Sequence, residues 1–199
     1  MRAEPITVPF APEAAVGPLK VERRELKVGL RSRFGLWFLR LVLKPLMGVM
    51  LRNPKSIARA QLQTASLRCR DTAGLTLEYR VVGGRVPGHV LGELNGQGRV
   101  LLWLHGGAFV FPAAPNMHLV LVARLCRELG AAGFVPDYRL APFNRFPAAL
   151  DDCDRAYSAL LRLGYAPSQI VLGGDSAGGS LVFGVLQRIR KQNLPMPAC

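Results

Sequence analysis

The 199-residue chain has only three histidines (His89, His105, His118) and four cysteines (Cys69, Cys126, Cys153, Cys199). The cysteines show neither metal-type spacing nor a short paired interval, so neither a metal cage nor a disulfide framework is expected. Three of them lie in apolar or helical patterns and read as buried free thiols. Asp151, Asp152 and Asp154 form a carboxylate cluster without histidine partners. They fall in the first turns of a helix, where acidic groups complement the macrodipole, and no metal is expected there. The stretch Met1-Arg2-Ala3-Glu4-Pro5-Ile6-Thr7-Val8-Pro9-Phe10 lacks the apolar core of a signal peptide, so the expectation is a cytoplasmic, reducing location. Internal repeats are absent.

Acidic residues are also scarce. The chain carries 13 Asp+Glu against 26 Lys+Arg, a formal net charge of +13. Residues 1–60 hold +8 of this and the remainder +5. No nucleic-acid-binding motif or aromatic-interleaved basic strand accompanies the charge, so no nucleic-acid partner is expected. A solvated basic face, or attraction to anionic lipid, accounts for it equally.

The hydrophobic pattern predicts a flexible lead-in and helical cap segment over residues 1–60 and an incomplete α/β core over 61–199. Within the first part, residues 1–20 are proline- and alanine-rich and aperiodic, and residues 31–51 are mostly apolar. Arg33, Arg40 and Lys44 share one helical stripe, and Pro45 is expected to kink or restart the helix. The internal charges and the proline argue against a membrane span. The segment reads as a cap over a cleft, the commoner use of such a stripe, or as an interfacial helix giving peripheral membrane contact.

Alternation over Ser66–Arg70 and Leu75–Val82 around Asp71-Thr72-Ala73-Gly74 predicts a hairpin, and 83–98 reads as a glycine-rich loop that leaves His89 exposed. The remaining pattern is a strand over 98–104, a helix over 116–129, a strand over 131–137 and a helix over 148–163. A further strand, Gln169-Ile170-Val171-Leu172, precedes a helix over 180–191. This succession implies a doubly wound, mostly parallel sheet with its site at the strand carboxyl ends.

Two loops carry chemistry. Gly174-Asp175-Ser176-Ala177-Gly178 joins a strand to a helix, the setting of a nucleophile elbow in which small neighbours admit a strained serine. His105-Gly106-Gly107-Ala108-Phe109 ends the strand 98–104, and its paired glycines let the backbone turn N–H groups toward a cleft. Such donors stabilise an oxyanion. Gly107 and Ala108, with the amide after Ser176 (Ala177), are the expected donors. Asp175 is expected to orient the elbow without transferring protons.

With Leu102-Trp103-Leu104-His105-Gly106-Gly107-Ala108-Phe109, Asp137-Tyr138-Arg139-Leu140-Ala141-Pro142, Phe146-Pro147-Ala148-Ala149-Leu150-Asp151-Asp152 and Gly173-Gly174-Asp175-Ser176-Ala177-Gly178-Gly179 in this order, the chain resembles the hormone-sensitive-lipase-like branch of the α/β-hydrolases over roughly residues 65–199. The resemblance implies a cofactor-free serine esterase acting on small-molecule esters. Ser176 would be the nucleophile, and Gly106, Gly107, Ala108 and Ala177 would surround the oxyanion. His105, Asp137, Gly174 and Gly178 would have structural roles. An amide deacetylase, or a non-catalytic ligand-binding protein of the same fold such as the plant gibberellin receptors, are the alternatives. Ala108 stands where relatives have a third glycine, which keeps the amide but puts a β-carbon where positive φ is disfavoured. Phe143-Asn144 replaces a common Glu-His and alters the cleft rim. In this family an acid and then a histidine follow the serine. Residues 177–199 contain no Asp, Glu or His, so the expectation is the front part of a longer enzyme, inactive alone.

Overall fold

The computed structural model describes residues 29–198. The expected lead-in over 1–20, and Cys199, lie outside them. The chain divides into two compact units, Met1–Leu46 and Met47–Cys199. Helices α1 (Leu30–Phe38) and α2 (Lys44–Arg52) join through a π turn, Leu39–Leu43, into one run. Pro45 does not break it. The N–H of Lys44 reaches back to the carbonyl of Leu39, and the wider turn makes room for a ring that has no N–H to donate.

Helix α3 (Pro54–Ala65) was not among the sequence expectations, although its start is signalled locally. Asn53 caps it by accepting the Lys55 N–H at 3.0 Å, and Pro54 occupies the first turn, where no donor is missed.

Five strands form one sheet: β1 (Leu77–Val82), β2 (Val86–Leu91), β3 (Arg99–Leu104), β4 (Ala131–Pro136) and β5 (Ile170–Gly174), in the order β1-β2-β4-β3-β5. The pairs β3–β4 and β3–β5 are parallel, and β2 runs antiparallel to both of its neighbours. Four of the five strands therefore point one way, as the mostly parallel reading requires. The hairpin is not where it was expected. It joins β1 to β2, with Val82 opposite Val86 and a turn through Gly83 and Gly84 at φ 58° and 69°. Ser66–Arg70 forms no strand, and the supposed loop 83–98 holds β2. Gly88 shows why glycine does not mean loop here. A β-carbon on it would lie 2.5 Å from the carbonyl oxygen of Val135 on β4, so the residue permits close strand approach. His89 is accordingly half-buried on β2 rather than exposed.

Helices α5 (Ala148–Arg162) and α6 (Ala177–Lys191) cover one face of the sheet around Leu102, Leu104, Phe134, Tyr157, Leu160 and Ile170. Helix α4 (Val120–Leu129), entered through a π turn at Pro115–Leu119, covers the other with Leu119, Val122 and Cys126 against Leu91, Leu101 and Val135. The buried positions of α5 (Cys153, Ala156, Tyr157, Leu160) recur at three- and four-residue spacing, the helical period facing a core. Cys126 and Cys153 are buried free thiols, whereas Cys69 is half-buried. This is an α/β architecture with helices on both faces of the sheet.

Candidate active site

Strands β3 and β5 are parallel neighbours with Leu104 beside Gly174, so the loops leaving their carboxyl ends emerge together. From β5 the chain turns through Asp175 and Ser176 directly into α6. Ser176 has φ 50° and ψ −118°, a conformation that costs a non-glycine residue free energy, and it is exposed. The flanking glycines have a steric cause. A β-carbon at Gly174 would lie 2.6 Å from the Leu104 carbonyl oxygen, and one at Gly178 would overlap that same oxygen. The elbow presses its backbone onto the end of β3, and only glycine fits at either contact.

From β3 the chain continues through His105, Gly106, Gly107, Ala108 and Phe109. Gly107, Ala108 and Phe109 have φ 123°, 54° and 60°. Ala108 thus adopts the left-handed conformation anticipated as the difficulty of replacing glycine there. The N–H groups of Val110 and Phe111 both return to the Gly107 carbonyl, closing the loop at 2.9 and 2.8 Å. Helix α3 holds it from outside: the Gln61 amide donates to the carbonyls of Val110 (2.7 Å) and Ala141 (3.2 Å).

Asp175 ties the two loops together. Its Oδ1 accepts the Gly106 N–H at 3.0 Å and the Trp103 indole N–H at 3.2 Å. Gly106, expected to lie around the oxyanion, is thereby tied to the elbow. The Gly106 N–H is engaged and is not available to an oxyanion, which leaves Gly107, Ala108 and Ala177, whose N–H groups have no acceptor among the described residues. His118 stands on the other side of the carboxylate. Its Nδ1 accepts the Ala114 N–H at 2.8 Å, so its proton resides on Nε2, 3.4 Å from Asp175 Oδ2 in a poorly aligned contact. No local signal in the sequence marks Trp103 and His118 as partners of Asp175, because they are 72 and 57 positions away.

His105 is fully buried. Its Nδ1–H points at the Gly106 carbonyl at 2.6 Å, its ring stacks on Tyr138 with centroids 4.2 Å apart, and Tyr138 donates to its carbonyl at 2.6 Å. Burial pushes its pKa down to about 4, partly offset by the Gly106 carbonyl. The imidazole is therefore neutral near pH 7 and braces the loop. Asp137 accepts the Tyr79 hydroxyl at 2.9 Å, beside the half-buried His89. Arg139, from the same segment, grips Asp152 through its Nε and Nη2 at 2.8 and 2.9 Å. Burial would raise the Asp152 pKa, but the hydrogen bonds and charge of Arg139, aided by Arg155, outweigh it and hold the carboxyl below its usual value. Asp151 pairs with Arg188 at 2.7 Å. The carboxylate cluster is accounted for by these arginines.

Next to the loop 105–109 lies a largely apolar cleft of about 310 Å³, lined by Ala108, Phe109, Asn144, Phe146, Leu150 and Leu181. Asn144 does stand at this cleft. A larger hollow of about 510 Å³ lies at the opposite end of the sheet, by Arg99 and Ala131, away from Ser176.

A family profile described as the alpha/beta hydrolase fold matches residues 101–199. A carboxylesterase/phospholipase, LipF, of Mycobacterium tuberculosis is 46% identical over 106 residues, 53% of this chain and 28% of that one. An acetyl-hydrolase of Streptomyces hygroscopicus is 42% identical over 101 residues, 51% of this chain and 33% of that one. Among solved structures, the protein EstE5 superposes with a TM-score of 0.61 at 35% identity, over 71% of this chain and 48% of that one. An esterase of the bacterial hormone-sensitive lipase family gives 0.59 at 36% identity, over 71% and 47%. The chain thus spans about a third or less of these curated relatives' length and about half of these structures. On this match the chain belongs to the α/β-hydrolase family, and it is similar to esterases of the hormone-sensitive lipase family.

Proposed function

We propose that this sequence serves the hydrolysis of a carboxylic ester through an acyl-Ser176 intermediate. One observation carries the reading: an exposed serine at φ 50° follows β5, whose parallel neighbour β3 leads into Gly107 and Ala108, and the N–H groups of Gly107, Ala108 and Ala177 have no acceptor among the described residues. The serine oxygen attacks the acyl carbon, and those donors receive the charge that develops on the carbonyl oxygen. The alkoxide leaves with a proton, and water then releases the acid. The apolar cleft beside Ala108 suits a small or medium acyl or aryl group, and relatives named esterase and acetyl-hydrolase agree with that class. No cofactor takes part.

The proton transfers need a base held by a carboxylate. His105 and His118 are committed to Gly106 and Ala114, His89 lies on β2, and residues 177–199 offer neither group. The 199-residue chain alone is therefore expected to turn over negligibly. The same observation favours a second reading, a protein that binds a ligand in this cleft without reacting. Amide deacetylation is the neighbouring catalytic alternative. The proposed setting is cytoplasmic, with peripheral membrane contact through residues 31–51.

External imidazole can stand in for a missing histidine. With p-nitrophenyl butyrate as acyl donor, acylation of Ser176 read by mass spectrometry should rise with imidazole concentration and disappear in Ser176→Ala. Ester binding without acylation at any imidazole concentration would establish the ligand-binding reading instead.

A further inference from the structure

We propose that the helix formed by α1, the π turn and α2 lies in the plane of an anionic phospholipid surface. This deepens the membrane-contact part of the proposed function and is independent of the ester chemistry.

The helix Leu30–Arg52 has 23 residues and no buried residue, and its most apolar 18-residue stretch has a mean hydropathy of 1.6. Phe34, Trp37 and Leu46 are exposed by 67%, 53% and 62%, a density of apolar surface that requires a cover. Charge selects the cover. From residue 26 to residue 70 the sequence contains ten Lys+Arg and no Asp or Glu, and a second copy of the chain would bring a further +13. An acid-free, apolar helix is complementary to negative headgroups over an acyl layer and repels another copy of itself.

Position selects the orientation. Arg40 and Lys44 stand mid-helix, and a helix crossing the bilayer would place both in hydrocarbon. Lying flat, it can raise them to the headgroups while the apolar side chains enter the acyl boundary. The helix already presents such an arrangement. Arg33 and Arg40, seven residues apart, flank Trp37 with Leu36 and Leu41 around a shallow hollow of about 360 Å³. Trp37 stacks on Phe34 with ring centroids 5.9 Å apart. Two guanidinium groups around an indole match a phosphate headgroup at the level where tryptophan prefers to sit.

The test is co-sedimentation of the 199-residue chain with vesicles of phosphatidylcholine alone and of phosphatidylcholine mixed with phosphatidylglycerol. Binding should require the anionic lipid and be released by high salt. Replacing both arginines (Arg33→Gln, Arg40→Gln) should weaken it by about 25-fold, since each surface charge contributes roughly fivefold. Brominated acyl chains should quench a fluorescence component that Trp37→Phe removes, which checks the contact without altering charge. Equal binding to both vesicle types, or binding that only detergent reverses, would overturn the proposal, the latter in favour of a span. Absence of binding would also overturn it and assign the apolar surface to protein, with sedimentation equilibrium showing whether a second copy covers it. Ser176→Ala should bind vesicles unchanged, so a failure of the ester chemistry and a failure of this proposal give separate readings.

Discussion

Asp175 accepts the backbone N–H of Gly106 at 3.0 Å, joining the residue beside the candidate nucleophile to the first glycine of the proposed oxyanion loop across 69 positions of sequence. The same oxygen takes the Trp103 indole N–H, so one carboxylate sets the spacing between the two halves of the site. Removing it with Asp175→Ala leaves two N–H donors unpaired and should cost about 2 kcal/mol of stability in urea unfolding. Asp175→Asn keeps a carbonyl acceptor and should cost about 1 kcal/mol or less. Equal losses in the two variants would mean that the carboxylate charge, rather than the acceptor geometry, holds the loops.

The elbow stores backbone strain at Ser176, which can be released. Ser176→Gly removes a side chain from φ 50° and should raise stability by about 1 kcal/mol, read as a higher melting temperature. Gly178→Ala should act oppositely and lose about 3 kcal/mol or more, because its β-carbon would overlap the Leu104 carbonyl oxygen. A neutral Ser176→Gly would show that the surrounding chain, not the serine, bears the strain.

His105 makes stability depend on pH in a stated direction. Its folded pKa is about 4, below the 6.5 of an unfolded histidine, so between these values the unfolded chain binds the extra proton. The contribution is complete above pH 6.5 and is lost as pH falls from 6.5 to 4. The span corresponds to about 3 kcal/mol. Unfolding free energy measured across that window should decline on acidification, and His105→Gln should flatten this part of the decline. An unchanged slope in the variant would show that other groups govern acid sensitivity.

Local physics made much of this protein legible. A strand, a run of small residues and a helix can form an elbow at Ser176 in only a few ways, and the paired glycines after β3 announce a sharp turn wherever the sheet lies. The periods of α4, α5 and α6 follow from apolar spacing, because a helix facing a core repeats every three to four residues whatever the core contains. Residues 177–199 lack an acid and a histidine as a matter of composition.

What the tertiary structure decided depends on groups that meet from distant segments. Glycine in β2 reads as a turn until β4 is beside it, when Gly88 becomes the point of close approach to Val135. Pro45 reads as a kink or a restart until the π turn absorbs it into one continuous helix. Gly106 reads only as one of the residues around an oxyanion until Asp175 takes its N–H, and His118 falls at the start of the helix expected over 116–129 until it is seen buried facing that carboxylate. Each N–H has one proton to give, and only the folded neighbourhood determines which acceptor receives it.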